Sequence, residues 1–124
     1  MPASTTVQEV RVMLYPQDFQ KTWQFYAHVL HWQVLHEWES AESRGAMFDM
    51  GNGILELLSP SGQVGSPSGW GLSLRVVNVW ELWSELKEQE APVVFALREN
   101  AWGDDSFCIT DPDGFALVFF TNRG

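Results

Sequence analysis

The chain has 124 residues, 45% of them hydrophobic, and its 16 acidic side chains outnumber 7 basic ones for a net charge of −9. That length suits one domain with a single core, and the apolar content excludes a disordered chain. No apolar run reaches the roughly 20 residues of a membrane-spanning helix, and clustered Lys and Arg for phosphate contacts are missing, so neither membrane nor nucleic acid is an expected partner.

The opening residues, Met1–Thr6, lack a basic-plus-apolar export signal and read as the short tail of a cytoplasmic protein. Glu9–Tyr15 alternates and predicts a strand. Asp18 follows as a helix N-cap, with Phe19, Trp23, Tyr26 and Leu30 at helical spacing up to about His31. Trp32–Glu39 alternates again and places Trp32, Val34, His36 and Trp38 on one face. Arg44–Met50 and Ile54–Ser59 are two more strands, joined by the turn Gly51-Asn52-Gly53. Module one therefore runs from about 8 to 59. The polar stretch 60–69, rich in Ser, Pro and Gly, is a linker.

The pattern then returns over about 70–122. Trp70–Val76 is a strand, Asn78 an N-cap, and Val79, Leu82, Trp83 and Leu86 mark a helix face ending near Glu90-Ala91-Pro92. Glu81, Glu85, Glu88 and Glu90 read as its solvated side. Val93–Leu97, Asp105–Thr110 and Phe115–Thr121 are strands, the last two joined by the Asp111-Pro112-Asp113-Gly114 turn. Asp18 to Trp23 and Asn78 to Trp83 have the same spacing, so each half is one unit of a repeat. The fold class this predicts is α+β: one domain over 1–124 made of two βαβββ modules, with curved mixed sheets around a central cavity and helices outside.

The single cysteine, Cys108, excludes an intrachain disulfide and a cysteine-based zinc cluster, and its apolar strand makes it a buried thiol. Seven tryptophans exceed what a small core needs and point to a ligand pocket or a subunit contact.

Three stretches carry a family resemblance. "RVMLYPQDFQKTWQFYAHVLHWQV", with its Asp-capped helix and Phe25-Tyr26 pair, resembles the opening of the vicinal oxygen chelate superfamily, which includes glyoxalase I, extradiol dioxygenases and the fosfomycin- and bleomycin-resistance proteins. "GILELLSP" is similar to the family's fourth strand and "WGDDSFCITDPDGFALVFF" to its last hairpin. A departure is His31, where members usually carry Gly; His enters the left-handed region more readily than most residues. The resemblance implies a homodimer and, in the enzymes, a divalent metal held by residues of strands 1, 4, 5 and 8, usually His, Glu, His and Glu. Here those positions fall on Arg11, Glu56, Gly71 and Val118. Only Glu56 can ligate, so neither a resident metal nor another cofactor is expected.

Alternation, with the family's strand orientation, turns Arg11, Met13 and Tyr15, then Ile54, Glu56 and Leu58, then Ser73 and Arg75, then Ala116, Val118 and Phe120 inward. His36 and Trp38 join them from strand 2. Arg11 is the obvious partner for Glu56, and Arg75 is either an anion anchor or a surface residue. Trp102, in the connection Arg98–Asp104, either covers the cavity mouth as a stacking surface or packs on its own loop or a dimer contact; Gly103 lets the backbone turn. The function expected is metal-free binding of a small molecule, cationic or aromatic, of the drug-sequestering kind, rather than catalysis. The alternatives are an enzyme with a non-standard or absent metal site and Glu56 as general base, and a protein-interaction module.

Overall fold

Asp18 and Asn78 start the two helices in the same way. Each accepts a hydrogen bond from the backbone N–H three residues on, Lys21 N to Asp18 Oδ1 and Glu81 N to Asn78 Oδ1, both at 3.1 Å. Such a cap satisfies one of the orphan donors of the first turn and is worth about 1 kcal/mol. The structure, a computed structural model, describes residues 4–59 and 69–123. The expected linker thus lies outside the described residues except for Gly69. The chain divides into two compact units, Met1–Val64 and Gly65–Gly124, called modules one and two here.

Module one contains β1 (Arg11–Leu14), α1 (Phe19–Gln24), β2 (Gln33–Glu39), β3 (Arg44–Asp49) and β4 (Ile54–Ser59), in the sheet order β1-β4-β3-β2. Module two repeats this with β5 (Gly71–Arg75), α2 (Val79–Glu88), β6 (Val93–Glu99), β7 (Asp104–Thr110) and β8 (Ala116–Asn122), ordered β5-β8-β7-β6. The first and last strands of each module pair in parallel and the others antiparallel. This is the expected α+β fold of two βαβββ modules.

Each helix covers one face of its own sheet. In module one Phe25, Tyr26, Ala46, Phe48, Leu55 and Leu57 are buried, and the Trp23 and Tyr26 rings lie against Phe48. In module two Val79, Leu86, Phe107, Ile109, Leu117 and Phe119 are buried, with Trp83 against Phe107. Each of the buried Val, Leu, Ile and Phe side chains contributes roughly 1.5–3 kcal/mol. The acidic side of α2, Glu81, Glu85 and Glu88, is exposed as expected. The Asp111 turn also matches its reading: its carboxylate accepts from Asp113 N and Phe115 N at 2.9 Å each, and Gly114 takes φ +90.

Two local readings need correction. The first helix does not run regularly to His31. It widens at Phe25–Val29 into a π-helical turn, closed by Leu30 N donating to Phe25 O at 3.1 Å, and the adjacent Phe25 and Tyr26 are both buried there. Second, Trp32, Val34, His36 and Trp38 do not share a face. The β2–β3 register shifts between Val34 and His36, a bulge at Leu35. Val34 lies opposite the buried Phe48, while Trp32 stacks on Tyr26 at 5.4 Å on the helix side. His36 and Trp38 turn to the other face, because one extra residue reverses the alternation.

Both helices end in a left-handed residue other than glycine, His31 at φ 58 and Glu90 at φ 57. Cβ crowding there costs roughly 1–2 kcal/mol and glycine's extra unfolded-state entropy offsets part of it. Glu90→Gly and His31→Gly should each raise unfolding free energy by about 0.5–1 kcal/mol in urea titrations with an unchanged slope.

Candidate functional site

Strand pairing places one row of side chains across the helix-free face of module one. Met13 lies opposite Glu56, Glu56 opposite Met47, and Met47 opposite His36. The next row along brings Trp38, Gly45 and Leu58 together. Arg11 pairs with Ile54 at the other end. The surface is mostly apolar, with the Glu56 carboxylate in its middle row and Arg11 and Asp49 in the row at its edge, the usual make-up of a small-molecule site.

Glu56 stands out in this setting. Its side chain is 17% exposed, and the nearest described cation, Arg11 Nη1, is 3.8 Å away. Arg11 spends its better contact elsewhere, donating from Nε to Glu9 Oε1 at 2.9 Å. The expected Arg11–Glu56 pair therefore forms, but at long range, with Arg11 half exposed. Tyr15 lies beyond the last paired residue of β1, Leu14, and is half-buried, so the strand pairing does not carry it onto this face.

On module two the helix-free face brings Ser73 opposite Val118 and Arg75 opposite Phe120, with Cys108 and Ser106 continuing the two rows on β7. Arg75 is exposed, and among the described residues no carboxylate pairs with it. Arg98 instead lies over the Phe95 ring at 3.8 Å.

The Trp102-Gly103 pair sits in a shorter connection than expected, 100–103, because β6 extends to Glu99 and β7 starts at Asp104. Asn100 N donates to Asp104 O at 2.8 Å and Gly103 N to Asn100 O at 3.1 Å, with Gly103 at φ +111. Arg123 ties the loop down: its backbone N–H donates to Gly103 O, and its guanidinium donates to Asn100 O, Asp104 O and the Asp105 carboxylate. Asp105 also accepts from Trp80 Nε1 at 2.9 Å. Asn100, Asp105 and Arg123 escaped the sequence reading, since no local pattern links positions 100 and 123. Gly103 serves this turn, and Trp102 is left 75% exposed, which excludes packing into its own loop.

A cleft of about 350 Å³ in module one is lined by Val7, Gln8, Glu9, Val10 and the β3–β4 turn Gly51–Gly53. None of the expected site residues lines it.

The family model for the Glyoxalase/Bleomycin resistance protein/Dioxygenase superfamily matches residues 10–119. The chain belongs to this superfamily. Solved structures similar to it include TioX from Micromonospora sp. ML1, at 18% identity and TM-score 0.78 over 94% of this chain and 99% of that one. TnmS3, an antibiotic binding protein from Streptomyces sp. CB03234, is 19% identical with TM-score 0.79 over 98% and 100%. A lactoylglutathione lyase from Agrobacterium tumefaciens is 17% identical with TM-score 0.72 over 96% and 95%. At these identities the likeness shows the fold. No curated protein matches the chain.

Superfamily enzymes imply a divalent metal, and the residues here do not fit one. Module one offers Glu56 beside the permanent cation Arg11. Module two offers Val118, which has no lone pair, and Gly71, where a Cβ would already crowd Ala116 O and Cβ at 3.0 and 3.2 Å. Among the described residues no three His, Cys, Asp or Glu side chains gather into a metal-holding group. Among the described residues no helix is long and apolar enough to cross a membrane.

Cys108 is 3% exposed, and burial pushes its thiol above the ordinary range, with a hydrogen bond from the Leu117 backbone pulling the other way. The thiolate is the reactive form. Folded protein at pH 8 should therefore react with a disulfide reagent at least 100-fold more slowly than urea-unfolded protein; equal rates would show the thiol to be accessible.

Proposed function

We propose that this superfamily member is a metal-free binder of small organic molecules carrying a cationic or hydrogen-bond-donating group, of the sequestering rather than the catalytic kind, and that it works as a cytoplasmic homodimer. The observation that carries this reading is Glu56: a mostly buried carboxylate on an apolar sheet face, with its one described cation at 3.8 Å and already engaged by Glu9. A carboxylate so placed retains capacity to accept a charge-assisted hydrogen bond, and displacing so weak an internal pair costs a ligand little.

Two further features support it. The net charge of −9 attracts cations at long range. A neighbour of the same fold, TnmS3, is described as an antibiotic binding protein. The dimer draws support from Trp70 and Trp102 of module two, which are 77% and 75% exposed; large aromatics left in water are typical anchors of subunit contacts. The ligand positions of the reading are Arg11, Met13, His36, Trp38 and Glu56 on module one, and Ser73, Arg75, Trp102, Val118 and Phe120 on module two.

Tryptophan fluorescence tests the reading against a panel of cationic drugs that includes bleomycin. Saturable quenching by at least one compound is expected, and Glu56→Gln should weaken it about 10-fold or more while Glu85→Gln on the solvated helix side leaves it unchanged. Silence across the panel, or equal affinity in the Glu56 variant, would refute it.

A further inference from the structure

Four asparagines occur in the chain, and only Asn52 precedes a glycine. The other three are held by their surroundings. Asn78 Oδ1 caps α2 by accepting from Glu81 N. Asn100 is buried, its amide donating to Asp104 Oδ1 at 2.7 Å and to Ser106 Oγ at 2.8 Å. Asn122 lies in β8, paired with Asp104. Asn52 is exposed and lines the cleft of about 350 Å³ together with Glu9, so water reaches its carboxamide.

Packing favours a glycine after it. A Cβ at Gly53 would lie 3.1 Å from Met50 Cε and 3.2 Å from Val10 O. Gly53 O accepts from Met50 N at 2.9 Å, and Val10 O from Ile54 N at 3.0 Å, which fixes the backbone around it. With no side chain on Gly53, its nitrogen is open to the neighbouring carboxamide. Among the described residues nothing accepts from the Gly53 N–H. The Asp113-Gly114 turn differs on this point: Gly114 N donates to Asp111 O at 3.0 Å. One turn leaves the glycine nitrogen free beside an amide, and the other ties it down.

We infer that Asn52 is a site of spontaneous deamidation, converting in the folded chain to aspartate and isoaspartate. Hydroxide removes the Gly53 N–H proton and the nitrogen bonds to Asn52 Cγ. The Cγ–Nδ2 bond breaks, and the amide nitrogen takes a proton from water and leaves as ammonia, regenerating hydroxide. One water then opens the cyclic imide. Opening at Cγ gives aspartate, and opening at the backbone carbonyl gives isoaspartate; nothing is oxidised or reduced. Either product adds a carboxylate to a cleft that already holds Glu9. Isoaspartate also lengthens the β3–β4 turn by one carbon, where Gly53 is already close to Val10.

The intact chain is incubated in heavy-oxygen water at neutral and mildly alkaline pH. Peptide mass spectrometry with fragmentation that separates aspartate from isoaspartate then locates the label. Label should enter at position 52 and at no other asparagine, faster at the higher pH, at a rate within about 10-fold of that in urea. Asp113→Asn supplies a second Asn-Gly turn whose glycine N–H is bonded. In the folded variant position 113 should react at least 10-fold more slowly than position 52, and the two rates should converge in urea. Asn52→Gln should abolish the labelling at position 52. An Asn52 that stays intact in the folded chain while the urea-unfolded chain converts would overturn the inference. So would equal rates at positions 52 and 113 in the folded variant.

Discussion

Among the described residues each module has four strands and one helix, and one helix can cover only one face of a sheet. The candidate site on module one follows from that constraint. Side chains that alternate toward the helix, such as Phe48, Leu55, Phe107 and Leu117, are buried and contribute the stability. Those that alternate away need another purpose. On module one they form an apolar field of Met13, Met47, Ile54 and Leu58 with a carboxylate set into it. A polar group in that position is costly unless something meets it.

What meets Glu56 within the chain is a shared cation. Arg11 divides its guanidinium between Glu9 at 2.9 Å and Glu56 at 3.8 Å, and its side chain is 47% exposed. Ion pairs with that much solvent contribute about 0–1 kcal/mol. So long a contact leaves the carboxylate most of its acceptor capacity. Superfamily enzymes are expected to use this strand position for a metal ligand, but here the companion positions are a guanidinium, a glycine pressed against Ala116 and a valine. Substituting one of them would not restore a donor set. The proposed organic-cation site rests on the carboxylate that remains.

Much of the fold was legible because repetition doubled every signal. Asp18 and Asn78 could be read as caps, the Asp111 turn as a hairpin, and both modules as βαβββ, since each pattern is set by a few local residues with fixed backbone preferences. Glu56 was legible for the opposite reason, as a charge breaking an apolar strand. The errors lie where local pattern and pairing disagree. Trp32, Val34, His36 and Trp38 alternate without interruption, yet the bulge at Leu35 splits them, and only the partner strand reveals it. Gly45 was the available signal: a glycine within a strand marks a close approach, here that of Trp38. The Arg123–Asp105–Asn100 network was invisible because it joins residues about twenty positions apart.

In the proposed function Glu56 faces an organic ligand rather than a metal ion. Anomalous X-ray scattering from crystals grown with excess zinc, nickel or manganese tests it most directly. The account predicts no metal peak at coordination distance, about 2.0–2.2 Å, from the Glu56 carboxylate. An ordered ion held there by Glu56 and other protein side chains would contradict it.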